Sequence, residues 1–248
     1  TKMLARISLS AEKPIALPFS YHEVLQGFIY RNIDAGLASH IHDQGFVSNG
    51  RSFKLFTFSK ILDKGVLNAE RTKLSFDGQL QFAVCSPMAF FIRSLVSSLS
   101  ANSSLKLWHN TVKLTAFSIT DNILNTAGNV KVSVKTLSPV TIYSTLHKAD
   151  GKGVYTRYFF PNDKLYSEML TENLLNKAAS MGLTAPSSFL KVKGGRTYTE
   201  ALTKYKNFIV KGYEGELELS GDAQLINIAL ECGLGAKNSM GFGCIELQ

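Results

Sequence analysis

Gly233-Leu234-Gly235-Ala236-Lys237-Asn238-Ser239-Met240-Gly241-Phe242-Gly243 lies close to the end of a 248-residue chain and has the form G-x-G, five residues, G-x-G. Apolar residues at helical spacing precede it from Ala223 to Cys232, and Cys244-Ile245-Glu246-Leu247 reads as a short strand after it. The stretch is therefore expected to be helix, glycine loop, strand. Glycine has no Cβ, so it allows positive φ and close approach of another backbone or a phosphate. Successive loop N–H groups could then form an anion-binding concavity, with Lys237, Asn238 and Ser239 beside Gly233, Gly235, Gly241 and Gly243. Nucleotide-binding glycine motifs sit between a strand and a helix, the reverse order, so neither of the common ones fits. The plainly structural alternative is a helix C-cap glycine followed by a tight turn.

Outward from the loop, Asp222 is placed to cap the helix that precedes it. Val130-Lys131-Val132-Ser133-Val134 alternates strictly, Pro139 to Thr145 continues extended, and 148–153 reads as a turn before a strand from Val154 to Phe160. An amphipathic helix is expected from Asn162 to Met181, closed by Gly182. Strands follow at Ser188 to Lys193 and at Phe208 to Leu219, the latter interrupted by Gly212 and Gly215.

The first half carries the same order. Leu4 to Leu9 alternates as a half-buried strand, and one helix is expected from Ser20 to about Ile41, with Ser20 and Glu23 as a capping box and Gly36 as an interruption. His40-Ile41-His42-Asp43-Gln44-Gly45-Phe46 reads as its end and a turn, and Phe53 to Ile61 as a strand. Leu74 to Phe76 and Gln79 to Cys85 read as strands on either side of the turn dipeptide Asp77-Gly78. Pro87 opens a helix to about Ser100, and Leu105 to Ile119 is strand. Each half is β-α-β-β-α-β, the second less cleanly and with an extra hairpin. The predicted fold is α+β: two tandem ferredoxin-like (RRM-like) domains, each an antiparallel sheet with helices on one face, divided as 1–122 and 128–248 at a linker around Asp121 to Gly128.

The formal net charge is +8, which points to a polyanionic partner, nucleic acid or an anionic membrane surface. The three cysteines, Cys85, Cys232 and Cys244, are odd in number, form no C-x-x-C pair and sit in apolar segments, so buried thiols are expected rather than disulfides or zinc. No apolar run reaches the roughly eighteen residues that a membrane span needs. A cytoplasmic protein without a membrane partner is the expectation.

The glycine spacing, with Lys237 inside it and Phe242 between the last two glycines, resembles the C-terminal signature of the CRISPR-associated precursor-RNA endoribonucleases of the repeat-associated mysterious protein (RAMP) superfamily. The resemblance implies two ferredoxin-like domains with the glycine loop facing a cleft that holds CRISPR repeat RNA. It implies a metal-independent endoribonuclease without cofactor, which uses the RNA's own 2′-hydroxyl and leaves a 2′,3′-cyclic phosphate and a 5′-hydroxyl. A multisubunit interference complex and a homodimer are the assemblies it leaves open.

Histidine can move a proton either way near neutral pH. The turn His42-Asp43-Gln44-Gly45-Phe46 resembles the place where the family carries its general acid–base histidine, so that role falls to His42, with His40 as the alternative. The family's tyrosine on the first helix corresponds to Tyr30, and its cation after the turn to Lys54 or Arg51. His22 and His109 carry no expected chemistry, and His147 stands beside a basic turn. Lys191, Lys193, Arg196, Lys204, Lys206 and Lys211, mixed with Tyr198, Tyr205 and Phe208, are candidate RNA contacts: cations for phosphates, aromatics for unpaired bases. The rival functions are a non-catalytic RNA-binding scaffold subunit of a CRISPR effector complex, and an unrelated basic α+β protein whose glycine loop is structural.

Overall fold

The computed structural model describes residues 3–149, 151–184 and 189–248. Asp150, in the expected 148–153 turn, and Ser188, the expected start of a strand, lie outside them. Two antiparallel sheets organise the chain. The first runs, in spatial order, Thr57–Phe58, Gln79–Ser86, Met3–Ser10, Asn110–Thr120, Leu105–Leu107. The second runs Lys191–Tyr205, Phe208–Asp222, Asn129–Thr136, Ile245–Leu247. Setting aside the short edge strand Leu105–Leu107, the first and third strands in chain order occupy the middle of each sheet. That is the ferredoxin-like arrangement, twice.

Helices α1 (His22–Arg31), α2 (Ala35–Asp43) and α3 (Ala89–Ala101) belong to the first half, α4 (Tyr166–Ser180) and α5 (Ala223–Cys232) to the second. Leu25, Phe28 and Ile29 of α1 and Phe91, Ile92 and Leu95 of α3 pack on Ala5, Ile7, Leu9, Phe82 and Val84. Each such side chain, fully buried, contributes roughly 1.5–3 kcal/mol. In the second half Leu170 and Leu174 of α4 and Leu225, Ile226 and Ala229 of α5 close on Val134, Leu217 and Leu219.

The far face of the first sheet is not left to water. Leu4, Ala83 and Cys85 pack against Leu137 and Cys244 of the second half. Around them Lys60 N donates to Leu137 O at 2.9 Å, Ser138 Oγ to Phe58 O at 3.0 Å, and Arg6 pairs with Glu246, which Lys135 meets at 3.1 Å. All three cysteines are buried and none is in a disulfide. Among the described residues no helix is long and apolar enough to cross a membrane.

Several local expectations are corrected. The single helix from Ser20 to Ile41 is two helices, broken at 32–34, because Asp34 turns extended and its carboxylate accepts from Leu37 N as a fresh N-cap. Gly36 lies inside α2 rather than at a break, and Tyr21, not Ser20, stands at the N-cap of α1 without a side-chain cap. Phe53 to Ile61 does not alternate. It divides into Arg51–Phe53, which pairs with Phe46–Ser48, and Thr57–Phe58, and residues 55–59 are all buried because both halves of the molecule press on them. The strands flanking Asp77-Gly78 do not pair with each other: Lys73–Phe76 pairs with Ile15–Pro18 and Val66–Leu67, whereas Gln79–Ser86 joins the main sheet. The basic stretch after Lys193 is no loop. Lys191–Tyr205 and Phe208–Asp222 form one long hairpin whose register shifts between Gly194 and Tyr198.

Candidate RNA-binding and catalytic cleft

Ile41 is fully buried and fastens α2 to the core. Its neighbours on either side then diverge, since residues two apart on a helix do not share a face. The His40 ring meets Phe46, centroids 5.4 Å apart, while the His42 ring stands edge-on to Tyr30 at 6.0 Å. The Tyr30 ring leans in turn on buried Phe56 at 5.6 Å, and its burial pushes the phenol up to about 12, so it keeps its proton near neutral pH. His42 itself has a 75% exposed side chain, with Nδ1 2.8 Å from Asp43 Oδ1. Lys54 Nζ donates to the His42 carbonyl at 2.9 Å. Partial burial holds that ammonium below the ordinary lysine value against the opposing pull of Asp43. Tyr30, His42 and Lys54 thus come together. Arg51 does not join them: it pairs with Glu172 on α4 at 3.3 Å, where Asn49 also bonds Asn176 at 2.7 Å.

Lys54 lines a cleft of about 800 Å³ between the halves, whose opposite wall carries Tyr143, Lys237, Asn238 and Ser239. The glycine loop forms that wall but is itself mostly interior. Gly241 has φ +85°, and a Cβ there would fall 2.5 Å from the Phe58 ring and 2.8 Å from His22 Nδ1. At Gly243, φ +74°, it would meet the Leu234 carbonyl at 2.0 Å. Lys237 takes φ +56° without being glycine. The expectation of an anion-binding concavity of loop N–H groups is corrected in part. The amides of Leu234, Ala236, Met240, Gly241 and Gly243 donate to carbonyls of the protein, and the Asn238 side chain turns into the loop, its Nδ2 donating to Phe242 O at 3.0 Å and Leu234 O at 3.4 Å, while Lys237, Asn238 and Ser239 line the cleft.

Three groups that sequence inspection passed over hold this loop. His22, set aside as chemically idle, is buried with Nδ1 3.2 Å from Met240 O, and burial pushes its imidazole down to about 4. One turn later Gln26 Nε2 donates to Ser239 O at 2.7 Å and its Oε1 accepts from the Tyr205 hydroxyl. From below, Lys177, only 2% exposed, donates to Gly233 O at 2.6 Å and Gly235 O at 2.9 Å. Burial pushes that ammonium down to about 7. The signal was present: Leu170, Leu174 and Lys177 lie at i, i+4, i+7, on the apolar stripe of α4.

The remaining candidates scatter. Lys191 and Lys193 stand exposed on the second sheet beside Glu218, which the hydrogen bond from Lys131 chiefly, and these two charges to a lesser degree, hold below the usual carboxylate range. Arg196 is exposed at the register shift, and Lys211 pairs with Glu200 at 3.5 Å. None of these lines the cleft. Lys204 and Lys206 are exposed near the hairpin tip, and Tyr198 stacks on Tyr213 at 5.2 Å. His147 ends the strand Tyr143–His147. Among the described residues, no three His, Cys, Asp or Glu side chains converge as a metal site would require.

Two family models match the chain: CRISPR-associated protein Cas6, N-terminal, over residues 16–117, and CRISPR associated protein Cas6, C-terminal, over residues 124–247. The CRISPR-associated endoribonuclease Cas6 1 of Methanocaldococcus jannaschii is 25% identical over 254 residues, covering 98% of this chain and 92% of that protein. The CRISPR-associated endoribonuclease Cas6 of Pyrococcus furiosus is 24% identical, covering 96% and 86%. A solved structure described as CRISPR associated protein Cas6 aligns over the whole of both chains with a TM-score of 0.78 at 24% identity.

Proposed function

The chain belongs to the CRISPR-associated Cas6 family, and from that premise we propose that it is an endoribonuclease that cuts CRISPR repeat precursor RNA into guide RNA. In this reading the RNA lies in the cleft between two domains, 1–122 and 128–248. The single observation that carries it is convergence. Tyr30, His42 and Lys54 cluster on one side, and Lys54 shares its cleft with Lys237, Asn238 and Ser239 of the glycine loop.

The chemistry proposed needs no metal. His42, with Nδ1 engaged by Asp43, uses Nε2 to take the proton of the 2′-hydroxyl or to return one to the departing 5′-oxygen. The 2′-oxygen forms the new bond to phosphorus as the bond to the 5′-oxygen breaks, leaving a 2′,3′-cyclic phosphate and a 5′-hydroxyl. Lys54 and the still-protonated Tyr30 donate to the phosphate oxygens as negative charge builds there. Lys237 and Ser239 hold the strand from the other wall, and Asn238 braces the loop that presents them through its bond to Phe242 O. His40 serves no step, because its ring is turned to Phe46.

The test is cleavage of the host's repeat RNA in EDTA by wild type, His40→Ala and His42→Ala. The expected result is unchanged cutting by His40→Ala and a loss on the order of 10²–10⁴-fold for His42→Ala, with RNA binding retained. A 2′-deoxy substitution at the scissile nucleotide should abolish the cut. Binding without cleavage by all three proteins would instead make the chain a scaffold subunit, and equal cleavage by all three would remove the histidine from the mechanism.

A further inference from the structure

Lys237 is not an ordinary solvated lysine. Its Nζ stands 4.9 Å from the centroid of the Tyr143 ring and 5.1 Å from that of Phe208, so the two centroids are no more than about 10 Å apart. The rings come from different hairpins. Tyr143 opens the strand Tyr143–His147, and Phe208 follows the tight turn at the tip of the long hairpin. Tyr158 ties the two together, its ring 5.7 Å from Tyr143 and its hydroxyl donating to Ile209 O at 3.1 Å. The ammonium therefore occupies an aromatic clamp at the edge of the cleft. Phe208 is 42% exposed, an apolar ring held in water beside a cation.

We propose that Tyr143 and Phe208 form a stacking site for an unpaired nucleobase of single-stranded RNA, with Lys237 as the movable plug of that site. This rests on reading the chain as a repeat-RNA endoribonuclease and names a binding site within it. An ammonium is drawn more strongly to a phosphate, which carries full charge, than to ring quadrupoles. When a phosphate enters the cleft, Lys237 swings to it and frees two aromatic faces. The base on the same or the next nucleotide then takes the vacated place, since every base has a π-face and neither ring asks for a particular sequence. A base in a duplex is already stacked on both sides, which is why the occupant is unpaired. The site thus couples one phosphate contact to one base contact through a single lysine.

The experiment is equilibrium binding of fluorescein-labelled single-stranded repeat RNA, made uncleavable by a 2′-deoxy nucleotide at the scissile position. Phe208→Ala and Tyr143→Ala are each expected to raise Kd roughly 5- to 150-fold, the range of a lost base stack. Phe208→Tyr and Tyr143→Phe, which keep a ring, should retain wild-type Kd, and that separates stacking from misfolding. Single abasic nucleotides are then moved along the RNA. One position should weaken wild type by the same factor and leave Phe208→Ala unaffected, because both remove one interaction. The stacking site alone is overturned if the wild type binds and cleaves repeat RNA while both alanine variants bind as tightly, or if every abasic penalty is undiminished in Phe208→Ala. If the wild type neither binds nor cleaves repeat RNA, the endoribonuclease reading fails and the site falls with it.

Discussion

At the scale of single residues, two buried bases make opposite use of burial. Lys177 spends its Nζ on the carbonyls of Gly233 and Gly235, at a buried position on the floor of the cleft. Lys177→Met would leave both without a partner, at a cost of roughly 1–3 kcal/mol each, offset by no longer burying an amine. A net loss of about 1–3 kcal/mol is expected in urea denaturation. Stability equal to wild type would show that the lysine does not hold the loop. His22 is kept neutral by burial, with its folded-state value near 4 against an ordinary 6.5. The unfolded chain therefore takes the proton first. The contribution is whole above about pH 6.5 and is lost as pH falls from there toward 4, amounting to about 3 kcal/mol. Urea unfolding at pH 7 and pH 4.5 should show a steeper acid loss for wild type than for His22→Gln, a comparison that cancels the carboxylates the two proteins share.

At the scale of elements, the placement of His42, the proposed acid–base group, depends on a helix cap eight residues away. Asp34 caps α2, and Ile41 anchors it, so the direction of the His42 ring toward Tyr30 is set by both ends of a nine-residue helix. Asp34→Ala removes the cap at a cost of about 1 kcal/mol. The expected outcome is a modest fall in melting temperature and a larger fall in cleavage rate than in RNA affinity, because the helix carries the proposed acid–base group and not the loop. Equal losses in both would argue against the assignment. This element also marks what the sequence concealed. The apolar spacing of Val24, Leu25, Phe28, Ile29, Ile33 and Leu37 runs through both helices, so periodicity alone joins them, and only the extended backbone of Asp34 separates them. The hairpin 191–222 was obscured for a different reason. Its outer residues face water, so alternation of apolar and polar residues is weak, and pairing to a neighbouring strand holds it extended instead.

At the scale of the whole molecule, the two sheets are joined by more than a linker. The Leu4–Cys244 apolar cluster, the Arg6–Glu246 ion pair and the docking of Gly241 on Phe58 and His22 all cross the same seam. The two halves should consequently unfold together. The chain's single tryptophan, Trp108, reports the first half alone, whereas far-UV circular dichroism reports both. Coincident urea transitions by the two probes are expected. A separate dichroism transition with tryptophan fluorescence unchanged would mean that the seam is weaker than its contacts suggest.

The sequence by itself determined the family, through the spacing of four glycines around Lys237, and the order of elements, through the periods of its apolar residues. Both are local properties, written in consecutive residues and legible without a partner. It also singled out Tyr30, His42 and Lys54, because a resemblance supplied their roles. Tertiary structure alone decided why the glycines are there. Gly241 and Gly243 sit where a Cβ would strike Phe58 and the Leu234 carbonyl, groups close in space but, for Phe58, far away in the chain. It decided equally that Lys177, Gln26 and His22 hold the loop, and that Lys191 and Lys193 stand away from the cleft. Such facts depend on which surfaces two independently patterned halves press together, and no local period encodes that.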